Sequence, residues 1–385
     1  MVVSELLHAL PFSTWSALGF YLAVLLYLVP MTRGWFYFFA PPIAHAKVHL
    51  GALDSLRGLL ALWVAGGHLC MWSGSTFAPV SETFTFLNVS GHAVAFFAAL
   101  SGMLIYMSLR KVEDATGVRQ YLLRRVLRIY PLYFVTTLLS LFVCVEKVTL
   151  HRTLAELLMF RTLGYPHYLD PPTWSLYVEV AFYLVIPVLA LAFRRRMRLF
   201  AAVAVVVLLV GEHNGARELF LWKFFFVGIL CAEYLEPARK WLRGGKALGF
   251  FALGCALVAF AVFSDVHPHA GWLGFTERQA AVVLGVPLII LGLCTCEVLA
   301  KILSFPLLRI AGMASYSLYL IHPFVIMADF RFLFDGKGGW TASVPVTSSL
   351  PAMPVFFAVM LPALLFWAAV SYAAIERPFL MLRRK

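Results

Sequence analysis

The sequence predicts an all-α, polytopic membrane protein with about eleven transmembrane helices. Of its 385 residues, 62% are hydrophobic and only 13% are charged, whereas soluble domains have about 45–50% apolar and 25% charged residues. The mean hydropathy is +0.86. Apolar runs of about 20 residues, the length that crosses roughly 30 Å of hydrocarbon, recur along the whole chain. These observations exclude a soluble enzyme.

Eleven apolar runs are candidate transmembrane helices, although 131–146 and 199–211 are short for this role. No soluble domain, low-complexity tract or internal repeat interrupts them. We therefore expect an N-terminal transmembrane helix with a cytoplasmic linker at 1–52, followed by one membrane domain at 53–385. In chain order, the runs cover 13–30, 53–73, 90–108, 131–146, 174–192, 199–211, 217–235, 247–263, 278–297, 312–331 and 351–375.

The basic residues predict the orientation of these helices. One set of alternate loops carries 23 of the 31 Lys and Arg residues, and the opposite set carries the other 8. Because cytoplasmic loops are enriched in Lys and Arg, the C-terminus is predicted to be cytoplasmic and the N-terminus to lie outside. The net charge of +12 is then a signal of topology, and we expect no nucleic-acid partner.

A cleaved signal peptide is an alternative for the first run, because Ala44-His45-Ala46 resembles a cleavage site. The residues before the run contain Glu5 and no Lys or Arg, the opposite of the basic start of a signal peptide. We therefore expect a retained helix. The six cysteines lie in or beside apolar runs without a CxxC motif, so neither disulfides nor a metal site is expected.

The second run carries ionisable residues at membrane depth, where they are costly and usually functional. In a helix, Arg57 and His68 lie within about 20° of one face and roughly 16 Å apart along the axis. Asp54 precedes Arg57 by one turn and is predicted to pair with it. The alternative for this stripe is structural: a helix–helix hydrogen bond for His68 and an end anchor for Arg57.

Glu179 is a second ionisable residue inside an apolar run. It lies five residues after Trp174, an aromatic residue typical of the membrane interface, and so roughly 7–8 Å deep. We expect His68 at a similar depth, where the carboxylate and the imidazole could share or orient a proton. The alternative is a buried carboxylate that pairs with a tyrosine for packing.

Other polar residues give weaker signals. Arg125 and Arg128 could clamp phosphates or could serve only as topology signals. His322 lies mid-span beside Pro323 and is favoured as structural. Together, the stripe and Glu179 fit two classes: an enzyme that moves a group from an anionic cytoplasmic donor, or a transporter with a proton relay.

Six short motifs follow one another along the chain: Leu53-Asp54-x-Leu56-Arg57-Gly58 with His68, Phe96-Phe97-x-x-Leu100-Ser101-Gly102, Arg125-x-x-Arg128-Ile129-Tyr130-Pro131, Trp174-Ser175-Leu176-x-x-Glu179 with Phe182-Tyr183, Ser315-Tyr316-Ser317-Leu318-Tyr319-Leu320-x-His322, and Glu376-Arg377-Pro378. In this order they resemble the acyltransferase-3 family of integral-membrane O-acyltransferases. The resemblance leaves only about the first 50 residues unmatched. It implies a ten-helix core, to which this chain adds one N-terminal helix.

The resemblance implies an activity, a donor and an acceptor. The donor would be cytoplasmic acyl-CoA, usually acetyl-CoA. The acceptor would be a hydroxyl of a sugar in a surface polysaccharide, a lipopolysaccharide or a lipid-linked oligosaccharide. The expected location is the bacterial inner membrane, with membrane lipids and polysaccharide-synthesis machinery as further partners.

The resemblance also implies roles for individual residues. His68 would be the general base, with an unperturbed pKa of about 6.5, or would carry the acyl group transiently. Glu179 would orient His68 or bind the acceptor, and Asp54 would fix Arg57. The donor phosphates would lie near Arg57, Arg125 and Arg128, and the substrate pocket would be lined by Ser175, Tyr177 and His322.

Two other functions remain open from the residues alone. A transporter would use the same relay but is often built from inverted repeats and broken helices. No convincing repeat is found, although Gly66-Gly67 and His322-Pro323 could mark helix breaks. A partner subunit without chemistry of its own would not need His68.

Overall fold

Helices account for nearly all of the secondary structure in a computed structural model of the chain, as the sequence predicts. The structure describes residues 10–28, 48–73, 76–110, 112–143, 149–159, 171–213, 220–266, 275–303, 306–329, 331–334, 340–344 and 351–382.

The first half of the described chain contains eight α-helices and two 3₁₀ turns, Thr85–Val89 and Pro171–Thr173. The helices are α1 (Pro11–Leu28), α2 (Val48–Trp72), α3 (Ala78–Thr83), α4 (Gly91–Leu109), α5 (Ala115–Val143), α6 (Leu150–Leu157), α7 (Trp174–Ala192) and α8 (Met197–His213).

The second half contains seven further helices and a short hairpin. They are α9 (Phe220–Trp241), α10 (Gly245–Val266), α11 (Phe275–Thr295), α12 (Glu297–Leu303), α13 (Pro306–Met313), α14 (Ser315–Asp329), β1 (Arg331–Phe334), β2 (Trp340–Val344) and α15 (Ala352–Leu382).

Five of the described helices, namely α4, α7, α10, α11 and α15, are long and apolar enough to cross a membrane. Two shorter apolar helices cover Pro11–Tyr27 and Met197–Gly211. The predicted runs 53–73, 217–235 and 312–331 coincide with α2, α9 and α14, which are not among the five because they are more polar or shorter. The structure thus confirms helices at these positions, and the count of eleven spans stays a prediction.

Apolar side chains cover the outer surface of several helices. On α8, Val203, Val206, Val207 and Val210 are each more than half exposed. Soluble proteins seldom expose contiguous apolar faces of this kind. Contact with lipid explains them, and the chain is a membrane protein.

Among the described residues, a short hairpin is the element that is not helical, and the fold class remains all-α. β1 and β2 pair antiparallel, with Phe332 opposite Ala342. The predicted run 312–331 extended to the start of β1, whereas α14 ends at Asp329. Hydropathy alone does not distinguish a helix end from the short strand that follows it.

The N-terminal helix α1 packs on the rest of the chain through polar contacts. The Ser13 hydroxyl donates to Asp329 at the end of α14, and Trp367 of α15 donates to the Ser16 hydroxyl at 2.9 Å. Residues 29–47, with the predicted linker and the Ala44-His45-Ala46 segment, lie outside the described residues. The division into two domains stays a prediction.

Glycines bring the helices that carry the polar residues into close contact. A Cβ on Gly58 of α2 would lie 2.7 Å from the backbone nitrogen of Gly312 in α13, and a Cβ on Gly102 of α4 would lie 2.2 Å from a backbone oxygen of α9. These helices therefore pack backbone to backbone, as small residues allow in membranes. The contacts set the heights of the neighbouring residues Arg57 and Ser101.

The last helix contains two π-helical turns, Phe356–Met360 and Tyr372–Glu376. A π turn shifts the phase of the residues around it and often occurs at functional sites. The second turn ends at Glu376, whose carboxylate pairs with Arg128 of α5. The helix phase at this pair could not be predicted from a 3.6-residue period.

Candidate functional site

A chamber of about 70 Å³ lies between α2, α4, α5, α7 and α14. Its walls combine two arginines, one carboxylate and several hydroxyl groups with a few apolar side chains. The lining residues are Arg57, Val94, Phe97, Ser101, Arg128, Ile129, Ser175, Leu176, Glu179, Tyr183, Ser315, Tyr316 and Tyr319.

Glu179 is the only carboxylate among the chamber residues that the structure describes. Its Oε1 accepts a hydrogen bond from Ser101 Oγ at 2.8 Å and another from the Tyr183 hydroxyl. Tyr183 lies one turn after Glu179 and therefore on the same helix face. The predicted contact between Glu179 and His68 is absent from the described hydrogen bonds, because Glu179 faces α4 and its own helix.

Arg57 reaches into the chamber from α2. Within the described residues it forms no close ion pair with Asp54, although the two charges still interact at longer range. The reason is that the Arg57 side chain extends into the chamber, while the backbone of Asp54 packs against Gly312 of α13. No hydrogen bond or ion pair holds the Arg57 guanidinium in the described part of the chain.

Arg128 lines the same chamber but is tied to the last helix. Its guanidinium pairs with Glu376, which is 1% exposed, and Ser317 Oγ donates to the other carboxylate oxygen at 2.9 Å. Arg128 also lies over the Tyr316 ring at 5.8 Å. The pair joins α5, α14 and α15.

Arg125 lies in a neighbouring cavity of about 430 Å³ that Tyr121 and Arg124 also line. Its guanidinium lies 5.3 Å from the Tyr121 ring and 5.5 Å from the Tyr183 ring. Arg125 Nε and the Tyr121 hydroxyl are buried without a hydrogen-bond partner among the described residues. The three arginines predicted to act together are thus divided, because Arg125 and Arg128 point from α5 to different neighbours.

His68 lies in a stack of three rings beside the chamber. Its ring centroid is 4.5 Å from Trp72, one turn along α2, and 5.0 Å from His322 of α14. His68 Nδ1 is 2.7 Å from His322 Nε2. Tyr319 lines the chamber, and its ring lies 6.3 Å from that of His322.

The hydrogen bonds assign the protons of the two rings. His322 Nδ1 donates to the Leu318 carbonyl at 3.2 Å. In a neutral His322, Nε2 is then the acceptor, so His68 Nδ1 donates to it. His68 Nε2 is left with its lone pair and with no partner in the described structure. This tautomer is the one that can accept a proton from a substrate hydroxyl.

Ser175 and Tyr177 have different surroundings. Ser175 lines the chamber, and its Oγ is 2.7 Å from the Tyr319 hydroxyl. Tyr177 is not among the chamber residues: its hydroxyl donates to Glu156 of α6 and lies 3.0 Å from the Tyr133 hydroxyl. The expectation that Tyr177 lines the pocket is corrected. Tyr177 lies two residues after Ser175, so its side chain points to another side of the helix.

Sequence reasoning missed several partners in this region. For Glu179, a tyrosine partner was the stated alternative, and the structure identifies it as Tyr183, four residues along the helix. No local pattern connects Glu376 with Arg128, or Trp72 with the histidine pair. Among the described residues, no group of three or more His, Cys, Asp or Glu side chains could hold a metal ion.

Ionisable side chains and a histidine with a free ring nitrogen lie between apolar helices. The fold and the site therefore define the class of protein: a membrane protein with acid–base groups between its helices. Residues 50–372 match the family model described as an acyltransferase domain. Searches of curated proteins and of solved structures found no match. The chain belongs to the acyltransferase-3 family, and this membership supports acyltransferase activity.

Proposed function

We propose that the protein transfers an acyl group, acetyl in the first instance, from cytoplasmic acyl-CoA to a sugar hydroxyl on the other side of the membrane. The acceptor belongs to a surface polysaccharide, a lipopolysaccharide or a lipid-linked oligosaccharide. The proposed setting is the bacterial inner membrane, with eleven spans, a cytoplasmic C-terminus and the N-terminus outside. Family membership and the excess of basic residues in alternate loops support this proposal.

The main support for the proposed chemistry is the hydrogen-bond chain from the Leu318 carbonyl through His322 to His68. A general base must present a lone pair within reach of the proton that it removes. The chain leaves that lone pair on His68 Nε2 and holds the ring in place. His322 therefore acts as a positioning residue, the part that the sequence had assigned to Glu179.

The proposed reaction conserves atoms and protons. His68 Nε2 accepts the proton of the acceptor hydroxyl while the oxygen attacks the thioester carbonyl. A C–O bond forms, the C–S bond breaks, and His68 returns the proton to the sulfur of the departing coenzyme A. A transient acyl-His68 would divide the same transfer into two steps.

The basic groups support an anionic donor. Guanidinium groups bind phosphates through charge-assisted hydrogen bonds, and Arg57 is free to do so. Arg125 and Tyr121 offer further unpartnered polar atoms in the neighbouring cavity. We propose that this cavity receives the nucleotide end of the donor, that Arg57 and Arg128 face its phosphates or polar arm, and that Asp54 offsets the charge of Arg57.

The remaining chamber groups are proposed to serve the acceptor. Glu179, fixed by Ser101 and Tyr183, would accept a hydrogen bond from a sugar hydroxyl. Ser175 and Tyr319 line the same chamber, with their hydroxyl oxygens 2.7 Å apart. A polar wall of this kind suits a sugar better than a purely apolar ligand.

The test is single-turnover transfer from radiolabelled acetyl-CoA by the purified protein in nanodiscs, with thioester hydrolysis followed in parallel. His68→Ala should bind acetyl-CoA but lower the rate of its consumption by about 10²–10⁴-fold, the usual effect of losing a general base. The matched control is His92→Ala, because His92 is a buried histidine paired with Asp265 away from the chamber. It should keep the wild-type rate.

Two results would contradict the proposal. If the wild type neither binds nor consumes acetyl-CoA or longer acyl-CoAs, the donor is wrong, and the polar groups should be tested as a transport path. If His68→Ala and the wild type consume acetyl-CoA equally fast, His68 is not the base.

A further inference from the structure

The chamber has a polar part and an apolar part. The Ser101–Glu179 contact aligns α4 with α7. Phe97 and Val94 precede Ser101 on α4, and Leu176 precedes Glu179 on α7. At 1.5 Å per residue, these apolar side chains begin about 5 Å from the contact and extend to about 10 Å from it. They form one end of the chamber, toward the N-terminal ends of both helices, together with Ser175, whose Oγ lies 2.7 Å from the Tyr319 hydroxyl.

Phe97 forms the wall of this apolar end, on the side of the histidine pair. Its ring lies edge-on to the Tyr319 ring, with the centroids 6.2 Å apart. Tyr319 is held from behind, because its hydroxyl donates to the Pro172 carbonyl at 2.9 Å and lies 2.7 Å from Ser175 Oγ. The Phe97 ring therefore packs against a side chain that hydrogen bonds hold in place on its other side.

The space beside Phe97 is small. The chamber volume of about 70 Å³ compares with the roughly 10–15 Å³ that a cavity of this kind needs to hold one water. Beside the acceptor hydroxyl and the thioester carbonyl, such a volume leaves room for an acyl group of only a few carbons. A longer hydrocarbon chain would need the space that the Phe97 ring occupies.

We propose that the end formed by Val94, Phe97 and Leu176 is the subsite for the acyl chain of the donor, and that Phe97 limits this chain to a few carbons. This inference rests on the proposed function. Apolar walls favour acyl carbons because burial removes them from water, while the arginines and Glu179 favour the polar remainder of the substrates. Phe97 is thus a residue that determines acyl specificity.

The experiment compares acetyl-CoA, butanoyl-CoA and hexanoyl-CoA as donors for the full chain in nanodiscs. Consumption of each thioester gives kcat/KM for the wild type and for Phe97→Ala. In the variant, the ratio of kcat/KM for hexanoyl-CoA to that for acetyl-CoA should rise about tenfold or more, the range over which pockets discriminate single methylenes. The wild type should prefer acetyl-CoA.

The matched control is Phe96→Ala. Phe96 precedes Phe97 on the same helix, is buried in the core and does not line the chamber. Its replacement removes the same ring but should leave the donor ratio unchanged. Leu176→Ala enlarges the same apolar end from α7 and should shift the ratio in the same direction, which provides a second reading if Phe97→Ala does not fold.

The outcomes separate this inference from the proposed function. If the wild type consumes acetyl-CoA and both enlarging variants keep its donor ratio, the acyl subsite is wrong while the acyltransferase remains. If Phe96→Ala shifts the ratio as much as Phe97→Ala, the effect comes from general loosening, and the subsite is again wrong. If the wild type consumes none of the three donors, the proposed function itself fails.

Discussion

Two arginines line the same chamber, but their surroundings differ. Arg128 is paired with the buried carboxylate of Glu376, which Ser317 also contacts. Arg57 has no hydrogen bond or ion pair in the described part of the chain, although both side chains lie between apolar helices.

The difference separates a charge that the fold uses from a charge that is left for a ligand. An unpaired charge at membrane depth is costly and tends to be functional. For Arg128, the ion pair with Glu376 offsets this cost and joins α5 to α15. Arg57 would meet it through an anionic substrate. The sequence predicts the same role for both residues, whereas the comparison predicts a loss of stability when the Arg128–Glu376 pair is broken and a loss of donor binding when Arg57 is removed.

The largest effect is expected when the pair is broken. Glu376→Ala leaves Arg128 buried without its partner, which typically costs about 3–5 kcal/mol. The protein should lose most of its thermal stability in detergent, measured by the fraction that remains monodisperse in size-exclusion chromatography after heating.

A double variant sharpens this prediction. Arg128→Met with Glu376→Leu replaces both charges by apolar side chains and should recover much of the lost stability, because apolar replacement of a whole buried pair is often tolerated. Equal stability of Glu376→Ala and the wild type would mean that the pair does not hold the bundle together.

A smaller effect, on binding and not on stability, is expected at Arg57. Arg57→Ala removes no hydrogen bond or ion pair found in the described part of the chain, so its melting temperature should stay at the wild-type value or rise. The KM for acetyl-CoA should increase about 10- to 100-fold, equivalent to the roughly 1.5–3 kcal/mol of a hydrogen bond to a charged group.

Arg119→Ala is the control for this prediction, because it removes one exposed arginine from α5 outside the chamber. It should change neither stability nor KM. A large loss of stability in Arg57→Ala with an unchanged KM would reverse the comparison and make Arg57 the structural arginine.

The smallest of these effects concerns the histidine pair. His322 is held by the Leu318 carbonyl, and His68 keeps a ring nitrogen, Nε2, without a partner in the described structure. In His322→Gln, the amide oxygen can still accept the hydrogen bond from His68 Nδ1, whereas His322→Leu offers no acceptor. We expect kcat to be about tenfold higher in the Gln variant than in the Leu variant, the worth of one such bond. Similar KM values would show that the difference lies in positioning. Equal kcat values in the two variants would remove His322 from the mechanism.

Much of the architecture could be predicted from the chain. The run 174–192 coincides with α7, because a continuous apolar stretch between polar ends has few alternatives in a membrane. The placement of Arg57 and His68 on one helix also follows from sequence, since 3.6-residue periodicity decides which residues share a face. Six motifs in order indicated the family that the comparison of residues 50–372 confirms.

Partner choice across helices depended on the tertiary structure. His322 lies 254 residues from His68, and Glu376 lies 248 residues from Arg128. No periodicity connects such positions, so Glu179 was the expected partner of His68 only because its depth was similar.

Hydropathy, periodicity and short motifs were enough to predict most of the helices, the residues that share a helix face and the family. Tertiary structure alone decided that His322 faces His68, that Glu376 pairs with Arg128 and that Arg57 stays free. The physical reason is that local hydropathy and periodicity act within one helix. The rotation and height of one helix against another depend on close contacts such as that between Gly58 and Gly312 and on π turns such as Tyr372–Glu376, which form only when distant segments pack together.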